Sequence, residues 1–271
     1  MSESSARAII LGCGSSGGVP RIGGDDGAGD WGACDPANPK NRRRRCALLY
    51  EQRSAEGLTR VLLDAGPDIR QQLLDTGIND IDGLVFTHDH ADHTHGIDDL
   101  RAVVLRRRRR LDVWADEETG EILRTRFGYI FVQPEGSAYP PIMDLHSHDE
   151  SVEVHGAGGT VRCDAHIVEH GKNVVARGFR IGDMAYTPDV SDLTEEARAA
   201  LTGLDIWIVD ALRYTPHPTH AHVERTLGWI EELRPKHAIL TNLHIDLDHE
   251  ELSAQLPAHV SVAYDGMEIK L

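Results

Sequence analysis

Four residues that can bind a metal ion stand within six positions of this sequence: His88, His90, Asp92 and His93. They follow the apolar run 84–86, which predicts a strand that ends just before them. Neutral imidazole suits zinc, iron or manganese, and a carboxylate adds a harder oxygen ligand. Because a catalytic metal keeps one coordination position open, four ligands from one loop favour two metals that share it. The alternative is a solvated loop that is rich in histidine by chance.

Three further donors stand where an apolar run ends, namely His170, Asp189 and His244. Pro188 prevents a strand from continuing and leaves Asp189 at its rim. Each of the three taken alone is compatible with a structural role. Together with the first loop they supply seven donors, and with Asp189 as a bridge each of two metals obtains four protein ligands.

The composition limits the classes of function. The chain of 271 residues carries a formal net charge of −16 at pH 7. Because so acidic a surface repels a phosphate backbone, we do not expect nucleic acid to be the main ligand. No apolar run is long enough to cross a bilayer, so we expect no membrane partner either.

The cysteines and the start of the chain bear on the cellular compartment. The four cysteines are scattered and form no CxxC pair, which is typical of reduced thiols. Residues 1–7 lack a basic start followed by an apolar core, so we expect no secretory signal. Both observations favour a cytoplasmic protein. A homodimer is left open as an alternative to a monomer.

The hydrophobic patterns predict an α/β protein with two β-rich halves and one domain, residues 1–271. Strands are predicted at 8–11, 46–50, 60–64, 84–86, 111–115, 174–181, 204–210, 238–241, 260–264 and 267–271. Helices are predicted at 68–74, 98–109, 117–126, 195–201, 223–233 and 250–256. Residues 127–185 have a turn-rich, β-like pattern, and residues 21–45 form a long polar insert.

These motifs resemble, over nearly the whole chain, those of a known superfamily. The His-x-His-x-Asp-His run, Asp64 at a strand end, His170, Asp189 and His244 occur in the order of the metallo-β-lactamase superfamily. The resemblance implies a four-layer αββα sandwich with the metals at one edge. Two further stretches, 12–20 and 264–269, resemble the phosphoribosyl cyclic phosphate phosphodiesterases of that superfamily.

The resemblance also implies a reaction and its participants. We expect hydrolysis of a small phosphate ester, such as phosphoribosyl cyclic phosphate, by a hydroxide that bridges two divalent metals, zinc or manganese, with iron as another option. Asp92 would bind metal and orient the nucleophile, and His220 would stabilise charge or protonate the leaving oxygen. His222 is a candidate for substrate binding.

Two positions depart from the family pattern. The early loop offers only Cys34 where relatives carry a cluster of cysteines that binds a structural zinc, so we expect no zinc there. The late strand ends in Thr241-Asn242 where many relatives have Thr-His, so His244 must replace that ligand.

Three other functions remain open at this stage. The same metal edge serves tRNA 3′-processing nucleases, which the charge of −16 opposes. It also serves lactone and thioester hydrolases, and a protein that only binds a metabolite could keep the fold.

Overall fold

The computed structural model describes residues 5–172 and 174–271, and the first four residues of the N-terminus considered above lie outside it. The described residues form an α/β structure. Its strands are β1 (Ser5–Gly12), β2 (Ala47–Ser54), β3 (Gly57–Leu63), β4 (Gly83–Val85), β5 (Leu111–Ala115), β6 (Met143–Ser147), β7 (Ser151–Gly156), β8 (Gly159–Glu169), β9 (Val175–Ile181), β10 (Met184–Thr187), β11 (Asp192–Leu193), β12 (Ile206–Asp210), β13 (His237–Thr241), β14 (Val260–Val262) and β15 (Met267–Lys270).

The α-helices are α1 (Ile69–Thr76), α2 (Ala91–Thr94), α3 (Arg101–Arg107), α4 (Glu117–Phe131), α5 (Glu195–Ala200), α6 (Val223–Leu233) and α7 (His249–Ser253). Two short 3-10 helices lie at Pro39–Asn41 and Ile97–Leu100. Among the described residues, no helix combines the length and the apolar character that a membrane crossing needs.

The strands form two large sheets. One has seven strands in the order β15-β1-β2-β3-β4-β5-β6, and the other has eight, in the order β11-β8-β9-β10-β12-β13-β14 with β7 paired to β8. Strands β3 to β6 are parallel to one another, and so are β10, β12, β13 and β14. Because the carboxyl ends of parallel strands share one edge, the residues that follow them gather there, and these are the residues that the sequence marks as polar.

The residues cluster into two compact units. The first contains Met1–Ile9, Ala47–Cys163 and Glu268–Leu271, and the second contains Ile10–Cys46 and Asp164–Met267. The first and last segments of the chain therefore both contribute to the first unit. The single domain expected from the sequence stays a prediction.

The predicted elements are largely confirmed, and α6 has the predicted bounds, residues 223–233. The prediction that a helix ends at residue 126 was wrong, since α4 continues to Phe131 through a non-helical Phe127 (φ −130°, ψ 30°). Ile130 and Phe131 are buried, so core packing carries the helix past the position where the sequence pattern stops. The predicted helix at 98–109 begins as a 3-10 turn and ends at Arg107, because the next residue, Arg108, is left-handed (φ 54°).

The turn after β3, residues 64–66, packs tightly against residues 93–96, which end the histidine-rich loop after β4. The Ala65 amide donates to the carbonyl of His93 at 2.8 Å, and the Gly96 amide donates to the carbonyl of Ala65 at 2.8 Å. A Cβ at Gly96 would overlap the carbonyl oxygen of Gly66 and lie 2.7 Å from Cγ2 of Ile69. Only glycine therefore allows this close approach of two backbones.

We expect Gly96→Ala to lower the free energy of unfolding by about 2 kcal/mol or more, because a backbone carbonyl cannot move aside as a flexible side chain can. The matched control is Gly228→Ala in α6, where an added Cβ meets no atom within 4 Å. Alanine should stabilise that exposed helix by up to about 1 kcal/mol. Denaturant unfolding measures both variants, and equal effects of the two would contradict the steric argument.

The C-terminal turn is joined to the early loop by the carboxylate of Asp265. Its Oδ1 accepts from the amide of Cys13 at 3.2 Å, and its Oδ2 accepts from the amide of Arg44 at 2.8 Å. Burial raises the pKa of Asp265 to about 7, although the two amides and the Arg44 charge oppose this. The turn whose sequence resembles the phosphodiesterases thus supports the base of the glycine-rich loop.

The raised pKa of Asp265 makes stability depend on pH. The folded state binds this proton up to pH about 7 and the unfolded chain only up to about 4, so rising pH between these values reduces the free energy of unfolding. The loss is at most about 4 kcal/mol for a shift of this size. Asp265→Asn should remove this contribution to the pH dependence of stability. The wild-type minus variant difference in unfolding free energy, measured from pH 4.5 to 8, should fall with pH, and a flat difference would refute the assignment.

Candidate metal centre

The histidine-rich loop follows β4 and closes with one turn of helix. The amide of Phe86 donates to the carbonyl of Trp114 at 2.9 Å, which continues the sheet one residue beyond Val85. The hydroxyl of Thr94 donates to the carbonyl of His90 at 2.9 Å and holds the turn of α2. The ring of His88 lies 4.5 Å from that of His90 and 4.3 Å from that of His93, measured between centroids.

The carboxylate of Asp64 fixes this loop through hydrogen bonds. The residue is fully buried and left-handed (φ 66°), and its carboxylate accepts from the amide of Thr87 at 2.9 Å and from Nδ1 of His93 at 2.8 Å. The Thr87 hydroxyl also donates to this carboxylate, so it accepts from Nδ1 of His88 at 2.9 Å. Burial raises the pKa of Asp64, and its contacts with His93 and Thr87 lower it. Both Nδ1 atoms are thereby occupied, so a metal ion could be bound by these two rings through Nε2.

The second group of predicted ligands follows strands of the eight-stranded sheet. His170 comes directly after β8 and donates from Nδ1 to the carbonyl of Thr219 at 2.8 Å. Its Nε2 lies 3.5 Å from Oδ2 of Asp189, which follows β10 and is buried. Gly171, left-handed at φ 109°, turns the chain sharply after His170. The ring nitrogen of His170 and the carboxylate oxygen of Asp189 therefore face one another.

His220 is positioned by a carboxylate that the sequence reasoning missed. Nδ1 of His220 donates to Oδ2 of Asp210 at 2.8 Å, and the same oxygen accepts from the amide of Val190 at 3.1 Å. Burial raises the pKa of Asp210, Asp189 adds to this, and the contact with His220 lowers it. Asp210 ends a predicted strand, so the rule that pointed to Asp189 could have found it.

Four of the predicted ligands come together. One ligand atom from each of His88, His90, His170 and Asp189 lies within 4.8 Å of every other. Asp92 and His93 lie beside the first two in sequence, and Oδ2 of Asp92 is 3.5 Å from Nε2 of His93. Three imidazoles and a carboxylate at this spacing suit a divalent transition metal.

The residue directly after β13 has a side chain that was not expected at the site. Asn242 is left-handed (φ 60°), and its amide nitrogen lies 3.3 Å from Oδ1 of Asp189 and 3.1 Å from Nδ1 of His220. His244 is absent from the group of four, and its Nδ1 lies 3.1 Å from Oδ2 of Asp246. Burial and the charge of Arg21 lower the pKa of His244, against the effect of Asp246. The role of His244 as a ligand stays a prediction.

His222 is the N-cap residue of α6, and its side chain accepts no capping hydrogen bond there. Its assignment to substrate binding also stays a prediction.

Cys34 lies in a small apolar cluster with Val19 and Ile245. Its thiol donates to the carbonyl oxygens of Ile245 and Leu247, both at 3.4 Å, and burial raises its pKa. A thiol that is kept protonated is a poor zinc ligand. These contacts support the expectation that no zinc binds there, which remains a prediction.

Comparison with known proteins agrees with this geometry. A family profile described as a beta-lactamase superfamily domain matches residues 59–245. A crystal structure of a new diphosphatase from the PhnP family is 35% identical, with a TM-score of 0.85, and the alignment covers 99% of this chain and 98% of that one. Zinc-bound PqqB from Methylobacterium extorquens shares the fold at 16% identity and a TM-score of 0.74, with coverage of 98% and 100%.

A curated relative, the octanoyltransferase of Porphyromonas gingivalis strain ATCC BAA-308 / W83, is 32% identical over 267 residues. That alignment covers 97% of this chain and 51% of the relative, so the chain spans about half the length of the relative it matches. The predicted fold is confirmed, and the family match, the PhnP-family neighbour and the His/Asp cluster together support a metal-dependent hydrolase. This chain belongs to the metallo-β-lactamase superfamily and resembles its PhnP-type phosphodiesterases.

Proposed function

We propose that this protein is a metal-dependent phosphodiesterase that hydrolyses a small cyclic phosphate ester, such as phosphoribosyl cyclic phosphate. The observation that carries the proposal is the cluster of His88, His90, His170 and Asp189 beside a histidine, His220, that is hydrogen-bonded to a buried carboxylate. The PhnP-family diphosphatase at 35% identity supports phosphorus–oxygen bond cleavage over ester or thioester hydrolysis.

The donor set fits two divalent metals, zinc or manganese, with iron as a third option. His88, His90 and His170 would hold the first metal, Asp92, His93 and His244 the second, and Asp189 would bridge them. The hydrogen bonds of the rings fit this role, because Nδ1 of His88, His93 and His170 is occupied by a hydroxyl, a carboxylate and a carbonyl, respectively. Metal ions held there would lower the pKa of water and polarise the phosphoryl oxygens.

Asp92 and His220 have separate roles in the proposed reaction. The carboxylate of Asp92 orients the attacking water by accepting a hydrogen bond. As the water oxygen bonds to phosphorus it releases one proton to the surrounding solvent, and the bond from phosphorus to the leaving oxygen breaks. His220 donates a proton from Nε2 to the alkoxide oxygen that leaves. The hydrogen bond from Nδ1 to Asp210 fixes the orientation of the ring, so Asp210 is a positioning residue.

The partners follow from this reaction. The substrate is a small phosphate ester. His222, at the start of α6, follows His220 by two positions and is proposed to contact this substrate. A cytoplasmic location and a homodimer are further proposals. The structural likeness to human tRNase Z, at 16% identity, extends to the fold alone. The charge of −16 favours a small anionic substrate over a polyanion.

The first test removes the carboxylate of Asp92. We expect protein purified without chelator to contain about two metal ions and to hydrolyse cyclic and bis-aryl phosphate diesters. Asp92→Ala should lose most of this activity, by about a hundredfold or more, and also lose metal. The reason is that the Asp92 carboxylate both binds a metal ion and orients the attacking water. Near wild-type turnover with full metal content would contradict the mechanism.

His220→Ala is the matched comparison for Asp92→Ala. It should keep the metal content and lose kcat, since His220 acts on the leaving oxygen and holds no metal in this proposal. Elemental analysis and diester kinetics on the same preparations separate the two roles. A joint loss of metal and activity in His220→Ala would make His220 a ligand.

The second test separates His244 from Asn242. Imidazole is a good ligand for a transition metal and a carboxamide oxygen is a weak one, so His244→Ala should lower the occupancy of the second metal alone. Asn242→Ala should change metal content little, although its amide contacts Asp189. Metal counts on both variants decide the matter. Full occupancy in His244→Ala with loss in Asn242→Ala would exchange the two assignments.

A further inference from the structure

The C-terminal part of α4 contacts the histidine-rich loop at two places. Nη2 of Arg126 donates to Oδ2 of Asp89 at 2.8 Å, and Nη1 of the same guanidinium donates to the main-chain carbonyl of Asp89. The ring of Phe127 packs edge-on against that of His95, with 5.4 Å between the ring centroids. Two consecutive residues of one helix therefore contact the loop near its first histidine and at its last.

Arg126 combines an anchored backbone with an exposed head group. Leu123, three residues before it, and Ile130, four residues after it, are fully buried. The non-helical residue Phe127 lies between these two anchors, so the break in the helix falls at the contact with the loop. Core packing on both sides thus fixes the base of the arginine side chain, and its two hydrogen bonds fix the guanidinium.

Asp89 stands between His88 and His90, two of the four clustered donors. Its carbonyl belongs to the planar peptide group that links it to His90, so a donor on this oxygen restricts the orientation of that group. The Thr94 hydroxyl donates to the same oxygen at 3.3 Å. A planar guanidinium that also binds the carboxylate is a geometrically specific partner. Asp89 is thereby held by its main chain and by its side chain.

This contact differs in burial from the hydrogen bonds that orient the rings. Thr87 and Asp64, which provide those hydrogen bonds, are fully buried. The side chains of Arg126 and Asp89 are 39% and 26% exposed. Ion pairs as exposed as this one add little to the stability of a fold. We therefore expect the contact to act on the geometry of the loop and not on global unfolding.

We propose that Arg126 is a positioning residue of the metal centre, which sets the spacing of His88 and His90 by binding both the carbonyl and the carboxylate of Asp89. It touches neither the substrate nor the metal in this role. The inference rests on the proposed function, in which these two histidines hold the first metal. Groups that orient metal ligands from outside change metal affinity by about 10- to 100-fold when they are replaced.

The charge of Arg126 by itself has the opposite effect. A guanidinium repels a nearby divalent cation, so its removal strengthens metal binding on electrostatic grounds alone. Removal of a positioning contact weakens metal binding, because the ligands no longer keep the spacing that the metal requires. The direction of the change in metal affinity therefore distinguishes the two effects.

The test measures the cobalt(II) affinity of the full chain by competition with a chelator of known affinity, followed through the visible absorption of bound cobalt. The variants are Arg126→Met, which removes the donors, and Arg126→Lys, which keeps the charge without the planar fork. The control is Arg124→Met, at an exposed arginine two residues earlier on α4. Arg126→Met should weaken cobalt binding by about tenfold or more and Arg126→Lys by less, whereas Arg124→Met should change neither affinity nor spectrum.

Unfolding and a double variant exclude a merely structural role. In denaturant with excess chelator, Arg126→Met and Arg124→Met should have the same free energy of unfolding, and a lower value for Arg126→Met alone would make its role structural. Asp89→Asn should weaken cobalt binding more in the wild-type background than in Arg126→Met, because each residue acts through the other. Additive effects of the two substitutions would contradict the proposal.

Cobalt binding is measured without substrate, which separates this inference from the proposed reaction. A protein that hydrolyses no phosphate diester but shows the expected loss of cobalt affinity in Arg126→Met keeps the positioning role and rejects the phosphodiesterase. Unchanged or stronger cobalt binding in Arg126→Met, in a protein that does hydrolyse the diester, overturns the positioning role alone.

Discussion

The metal loop depends on one carboxylate that has no access to solvent. Asp64 accepts from the amide and hydroxyl of Thr87 and from Nδ1 of His93, and through Thr87 it also orients His88. Burying a charged group without such partners costs several kcal/mol, so the carboxylate and its donors stabilise one another only as a complete set. The fixed ring orientations that a metal needs are a consequence of this set.

The same arrangement recurs in the eight-stranded sheet with other partners. Nδ1 of His170 is bound by the Thr219 carbonyl, and Nδ1 of His220 is bound by Asp210. In each case one ring nitrogen is held by a hydrogen bond that fixes the orientation of the ring. The other nitrogen of His170 lies 3.5 Å from the carboxylate of Asp189, within the candidate metal cluster, whereas the cluster found among the described residues does not include His220.

The sequence alone sufficed to predict most helices and strands and the candidate site residues. Only the tertiary structure decided which side chains form hydrogen bonds with those residues. Hydrophobic periodicity and composition sufficed to predict α6 and the strands that end just before His88, His170 and Asp189, because helices and strands repeat their side-chain directions with fixed periods. The extension of α4 to Phe131 was not predictable, since it depends on packing with residues distant in sequence. The contacts of Asp210 and Asn242 are also long-range, and only the folded backbone brings them to His220. Residue spacing predicts candidate ligands, whereas their orientation arises from contacts between segments that are distant in the sequence.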